Sequence, residues 1–137
     1  MSQERTPHWQ PLAALPLVAQ VIDGMLASTQ ENHLTLQAAR HRPYSLDDYT
    51  VARTQKVYRE QAEYLPLYEE QLTRWQQESL TAEQRHEIAR LTNQLQRLRT
   101  ENDAILQLAA ILATQTIEQL LRKSDAEVGA EYLRGQP

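Results

Sequence analysis

Residues 82–123 read AEQRHEIARLTNQLQRLRTENDAILQLAAILATQTIEQLLRK. Within this stretch Leu91, Leu98, Ile105 and Leu112 form one column at heptad spacing, and Ile88, Leu95, Asn102 and Ala109 form a second beside it. Together the columns recur about every 3.5 residues, so a helix carrying them presents a continuous apolar seam that must be buried against another helix. Thr81, with Gln84 three residues later, has the spacing of a capping box and marks the start. No Gly or Pro interrupts residues 82–123. The pattern therefore predicts a single helix running to about Lys123, a rod of about 63 Å.

Such a rod needs long partners. Upstream, Tyr44, Val51, Tyr58, Leu65 and Leu72 repeat at sevenfold spacing, flanked by Tyr49, Ala52, Ala62, Tyr68 and Trp75. This is a second amphipathic helix, capped by Ser45 or Asp47. Pro66 lies inside it, and an interior proline removes one backbone hydrogen bond and clashes with the preceding turn. The sequence predicts a kink near 62–65, with two separate helices as the alternative. A short connection at 78–80 folds helices two and three into an antiparallel hairpin. Leu15, Val18, Ile22, Leu26, Thr29, His33 and Leu36 give a first helix from Leu12 or Pro16 to Arg40, and Pro43 turns the chain after it. Residues up to about Gln10 are polar and read as a loose arm, with Trp9 free to dock on the bundle. A short last helix comes after Ser124. The expected fold is all-α: one elongated domain over 1–137, three long helices up-down-up with coiled-coil-like packing and a short C-terminal helix.

Composition narrows the function classes. The 137 residues contain 3 Gly, 6 Pro and no Cys, and their formal net charge is −4. Few turn residues and abundant helix formers fit the all-α reading. An acidic balance argues against a nucleic-acid partner. Without Cys there is no disulfide framework, thiolate catalysis or cysteine zinc site. The start, MSQERTPHWQ, has no basic-then-apolar leader pattern, and the longest uncharged stretch, 104–117, is too short to span a bilayer. These features predict a cytoplasmic protein without a membrane partner.

The second half of helix three differs from its first. Leu106, Ala110, Ala113, Ile117 and Leu120 form a further stripe, and Leu108 and Ile111 cover a third side. A helix apolar almost all round is surrounded. Residues 40–55, which lie opposite in a hairpin, supply few large apolar side chains besides Leu46, Tyr49 and Val51. The expectation is a homo-oligomer, a second copy of the chain covering Leu106, Leu108, Ala110, Ile111, Ala113, Ile117 and Leu120.

All eight aromatic residues are Tyr or Trp, side chains suited to the border between an apolar groove and water. Tyr44, Tyr49, Tyr58, Tyr64, Tyr68 and Trp75 are thus candidates for a surface that holds another protein, or for the edge of a crevice between helices one and two that holds a small apolar or aromatic ligand. Asn102 either pairs with its mate in a two-stranded coil, faces solvent, or bonds to a neighbouring helix. Glu83 and His86 form one Glu-x-x-His, whereas a di-metal bundle needs a second such pair and two further carboxylates, so no metal or other cofactor is expected. The residues before the seam supply only Arg85 and Arg90 beside Glu83 and Glu87, too little for a zipper's basic region. Arg40, His41 and Arg42 are explained by the helix C-terminus they adjoin. With no phosphate loop, nucleophile elbow or catalytic carboxylate pair in view, the sequence predicts a non-enzymatic oligomerisation or interaction module, with a ligand-binding or sensory bundle as the alternative.

Overall fold

In a computed structural model describing residues 6–123 and 125–135, the chain is an all-α bundle with no strand among the described residues. A 3-10 turn, Leu12–Ala14, leads into α1 (Leu15–Arg40), and then come α2 (Asp48–Gln76), α3 (Ala82–Leu112), α4 (Ile117–Leu121) and α5 (Asp125–Leu133). The three long helices have 26, 29 and 31 residues, and so run to about 40–46 Å each. Asp23 meets Arg90 and His33 meets Glu101, so α1 runs parallel to α3. Asn102 meets Tyr58 and Arg99 meets Glu69, so α2 runs antiparallel to it.

Local chemistry sets the helix starts. Pro16 occupies the first turn of α1, where its missing N–H costs nothing. Asp47, not Ser45, caps α2: its carboxylate accepts the Thr50 N–H at 2.8 Å. Tyr44 falls outside the helix in which the heptad pattern put it, at a left-handed φ of 66° in the preceding turn. Pro66 sits within α2, which continues through it unbroken. At α3 the capping box is complete, with Gln84 N–H to Thr81 Oγ1 at 3.1 Å and Thr81 N–H to Gln84 Oε1 at 2.9 Å.

The rod to Lys123 is not formed. α3 stops at Leu112, and the chain turns through 113–116 before α4. Thr114 donates to the Ile111 carbonyl at 2.7 Å, and the Gln115 carbonyl accepts the Tyr44 N–H at 2.9 Å. The turn is thereby tied to the α1–α2 loop, a tie repeated where Ile117 N–H meets the Leu46 carbonyl at 2.8 Å. Thr116, fully buried, caps α4 through the Gln119 N–H and donates to Asp48 Oδ1. Glu118 in turn accepts the Asp48 N–H at 3.0 Å, so each of these two helix starts helps to cap the other. Ser124, the expected start of the last helix, lies outside the described residues.

Both heptad columns of α3, Ile88 through Leu112, are buried. Their leucines and isoleucines divide between two apolar clusters. The first joins Leu15, Ile22 and Leu26 to Leu65, Leu72 and Trp75; the second joins Leu36 to Val51, Tyr58, Ile105, Leu108 and Leu112. Between them lies a polar layer with one residue from each long helix. Gln61 Nε2 donates to Thr29 Oγ1 at 3.0 Å and to Asn102 Oδ1 at 2.8 Å, and Asn102 Nδ2 donates to the Tyr58 carbonyl at 3.0 Å. Asn102 therefore bonds to a neighbouring helix, one of the alternatives left open by its heptad position.

The residues just before the bundle are not loose. Gln10 N–H donates to Gln71 Oε1 at 2.7 Å, and the Gln10 carbonyl accepts the indole N–H of buried Trp75 at 3.0 Å. Arg74 lies over the Trp9 ring, 4.4 Å from its centroid. An arm that supplies the partner of a buried indole is part of the core it closes.

Candidate functional site

α3 packs along both α1 and α2, whereas α1 and α2 barely approach each other backbone to backbone and meet through long side chains. In closely packed pairs the axes lie about 8–10 Å apart; here the wider gap leaves an open trough. Its lower part is a cleft of about 340 Å³ between the C-terminal half of α1 and the N-terminal half of α2, walled by Asn32, Leu36, Ala39, Tyr49, Val57 and Tyr58, with Leu46 and Arg53 at the same opening. Its upper part, about 230 Å³, lies between Val18, Tyr64, Leu67 and Tyr68 and the docked arm at Trp9.

This geometry sorts the aromatic candidates. Tyr49 and Tyr64 are exposed, Tyr68 is half-buried, and all three line the trough. Burial pushes the Tyr68 phenol above its ordinary range. Tyr58 and Trp75 are interior residues, which corrects their assignment to a partner surface. Each large ring closes one apolar cluster, and only the Tyr58 edge reaches the cleft. Tyr44 belongs elsewhere. Its hydroxyl accepts from Lys123 Nζ at 2.7 Å, and Lys123 also pairs with Glu131, which fastens α5 to the α1–α2 loop. These bonds hold Lys123 above its ordinary pKa, through Glu131 first, and hold Glu131 below its own through Lys123.

The residues proposed for self-association also divide. Leu108 is buried in the second cluster, where Leu36 on α1 and Val51 on α2 share its environment. It is removed from the interface set. Leu106 and Ala113 are half-buried against the same cluster, and Leu120 is half-buried on α4. Ala110, Ile111 and Ile117 are exposed. Because the helix ends at Leu112, these residues do not form one straight stripe. The exposed apolar set continues instead onto Leu121, Val128, Tyr132 and Leu133.

Glu83 and His86 line a shallow depression with Ala82, Glu87 and Arg90 on the first turns of α3. No three His, Cys, Asp or Glu side chains converge as metal ligands among the described residues. Arg90 instead forms a fork to Asp23, 2.9 Å to each carboxylate oxygen, and this lowers the Asp23 pKa below its usual value. Arg40 and His41 face a third depression with His33, Gln37, Gln107 and Ile111. By length and composition, Leu12–Arg40 and Ala82–Leu121 each contain an 18-residue window apolar enough to cross a membrane, of mean hydropathy 1.5 and 1.4, although the turn at 113–116 interrupts the second segment.

Sequence reading missed Arg53 and Val57 as wall residues, Gln61 as the bridge of the polar layer, and Gln10 as a core partner. Arg53 and Val57 stand at helix i, i+4 spacing, a signal for a shared face, but which neighbour that face meets depends on the tertiary arrangement. Comparison of the chain with protein-family models, with curated proteins and with solved structures finds no match.

Proposed function

We propose that this protein is a non-enzymatic helical interaction module that self-associates in a coiled-coil-like manner and works in the cytoplasm, with neither membrane nor nucleic acid as partner. The observation that carries the reading is the uncovered apolar set at the C-terminal end of the bundle. Ile117 and Leu121 are 41% and 78% exposed on α4, and Tyr132 and Leu133 are 83% and 88% exposed on α5. Ile111 and Val128 are exposed as well, and several large apolar side chains left uncovered in one part of a chain are a feature of interfaces. A second copy related by a two-fold axis would cover this set with the same residues.

The test is absolute mass by light scattering on a size-exclusion column at micromolar concentration. A mass near twice 15.8 kDa, reduced to one chain by Ile117→Glu with Leu121→Glu, supports self-association. A monomeric native protein, or an oligomer unaffected by those substitutions, rejects it. Both positions are solvent-facing, so the substitutions disturb assembly without opening the core.

A second reading has its own support. The Tyr-edged cleft between α1 and α2 is of a size that holds small molecules, and one of its walls is the core residue Leu36. Binding there is compatible with assembly through α4 and α5.

A further inference from the structure

The cleft between α1 and α2 contains polar groups whose bonding capacity the fold leaves unused. Tyr58 is only 4% exposed, and its hydroxyl oxygen accepts a hydrogen bond from Asn32 Nδ2. Asn32 is the hydroxyl's one hydrogen-bond partner among the described residues, and with the amide in this orientation the phenol proton is free for an acceptor that enters the cleft. Because the Tyr58 edge reaches the cleft, a ligand oxygen there can take this bond in place of water. Arg53 stands at the same cleft, and its guanidinium makes no ion pair or side-chain hydrogen bond with any described residue. Apart from tyrosine phenols, Arg53 is the one ionisable side chain among the described residues lining the cleft. One cation suits one negative charge, and the guanidinium fork matches a carboxylate in shape as well as charge. The remaining wall is apolar, formed by Leu36, Ala39 and Val57, with Tyr49, 71% exposed, as an aromatic flap at the mouth.

We propose that this cleft binds a small aromatic monocarboxylate. Its carboxylate accepts the Tyr58 hydroxyl proton in a hydrogen bond and pairs with Arg53, while its ring lies against Leu36, Ala39 and Val57 beneath Tyr49. The proposal rests on the reading of this cleft as a ligand site and adds to it the class of ligand.

Isothermal titration of the full chain with 2-naphthoate and with its neutral analogue 2-naphthalenemethanol tests both levels. The expected result is that naphthoate binds about tenfold or more tighter than the alcohol, since hydrogen bonds to a charged group are the stronger kind. Arg53→Gln should bring naphthoate down to the alcohol's affinity and leave the alcohol unchanged. Thr35→Trp, which fills the cleft from an exposed helix position, should remove binding of both. Equal affinities for the two probes, unaffected by Arg53→Gln, overturn the carboxylate assignment while leaving the cleft as a binding site. Absence of binding by either probe, or binding that survives Thr35→Trp, overturns the cleft itself.

Discussion

At the scale of single residues, the polar layer decides how the helices are aligned. Asn102 is fully buried and its amide is used at both ends, toward Gln61 and toward the Tyr58 carbonyl. Sliding α3 by one turn would bury these groups against leucines without partners, so the layer penalises other registers. Asn102→Ala should lower the unfolding free energy by about 2 kcal/mol in urea denaturation, because it takes one of the two acceptors from the Gln61 amide and opens a small cavity. The Asp23–Arg90 pair makes a pH-dependent contribution. The folded state depresses the Asp23 pKa, so its stabilisation is present above the ordinary carboxylate value of 3.8 and is lost as pH falls through the lower folded value. Asp23→Asn should therefore cost stability at pH 7 and progressively less as the pH is lowered below 3.8, as read from urea midpoints at each pH. The pair is substantially exposed, so the difference should stay below about 1 kcal/mol.

At the scale of elements, caps and breakers determine where helices begin and end. The heptad columns predicted α3 correctly as far as Leu112, and every column position up to there is buried. Beyond it, Ile117 and Leu120 stayed in phase with a continuing helix, and periodicity alone cannot distinguish one long helix from a long and a short one. The missed signal was Thr116 with Gln119 three residues later, the same spacing that marked the start at Thr81. Thr116→Ala should cost about 1–2 kcal/mol in thermal or chemical unfolding, through the lost cap and the lost bond to Asp48. Pro66 works in the opposite direction. It lies at an exposed position within a helix that continues through it, so Pro66→Ala should raise stability by on the order of 1–3 kcal/mol and leave the helical circular-dichroism spectrum unchanged or stronger.

At the scale of the whole molecule, the N-terminal arm completes the first cluster from outside the helices. Deleting residues 1–10 removes the Gln10 groups that satisfy Gln71 and the Trp75 indole. The truncated protein should lose about 2–4 kcal/mol of stability, and its Trp75 emission should shift to longer wavelength as water reaches the ring. The sequence by itself determined the all-α class, the three long helices, their up-down-up order and the seam of α3, because these arise from local periodicity, caps and short connections. Only the tertiary structure decided which side chains share an environment. Tyr58 and Trp75 have the same amphipathic chemistry as Tyr49 and Tyr64, yet the first pair is interior and the second faces the trough. Leu108 looked surplus to the hairpin until α1 brought Leu36 against it. Gln10 became a core partner across 65 residues of chain. The physical reason is the same in each case: burial and hydrogen-bond pairing depend on groups distant in sequence, and one chain's pattern of apolar positions fixes which face turns inward but not what that face will meet.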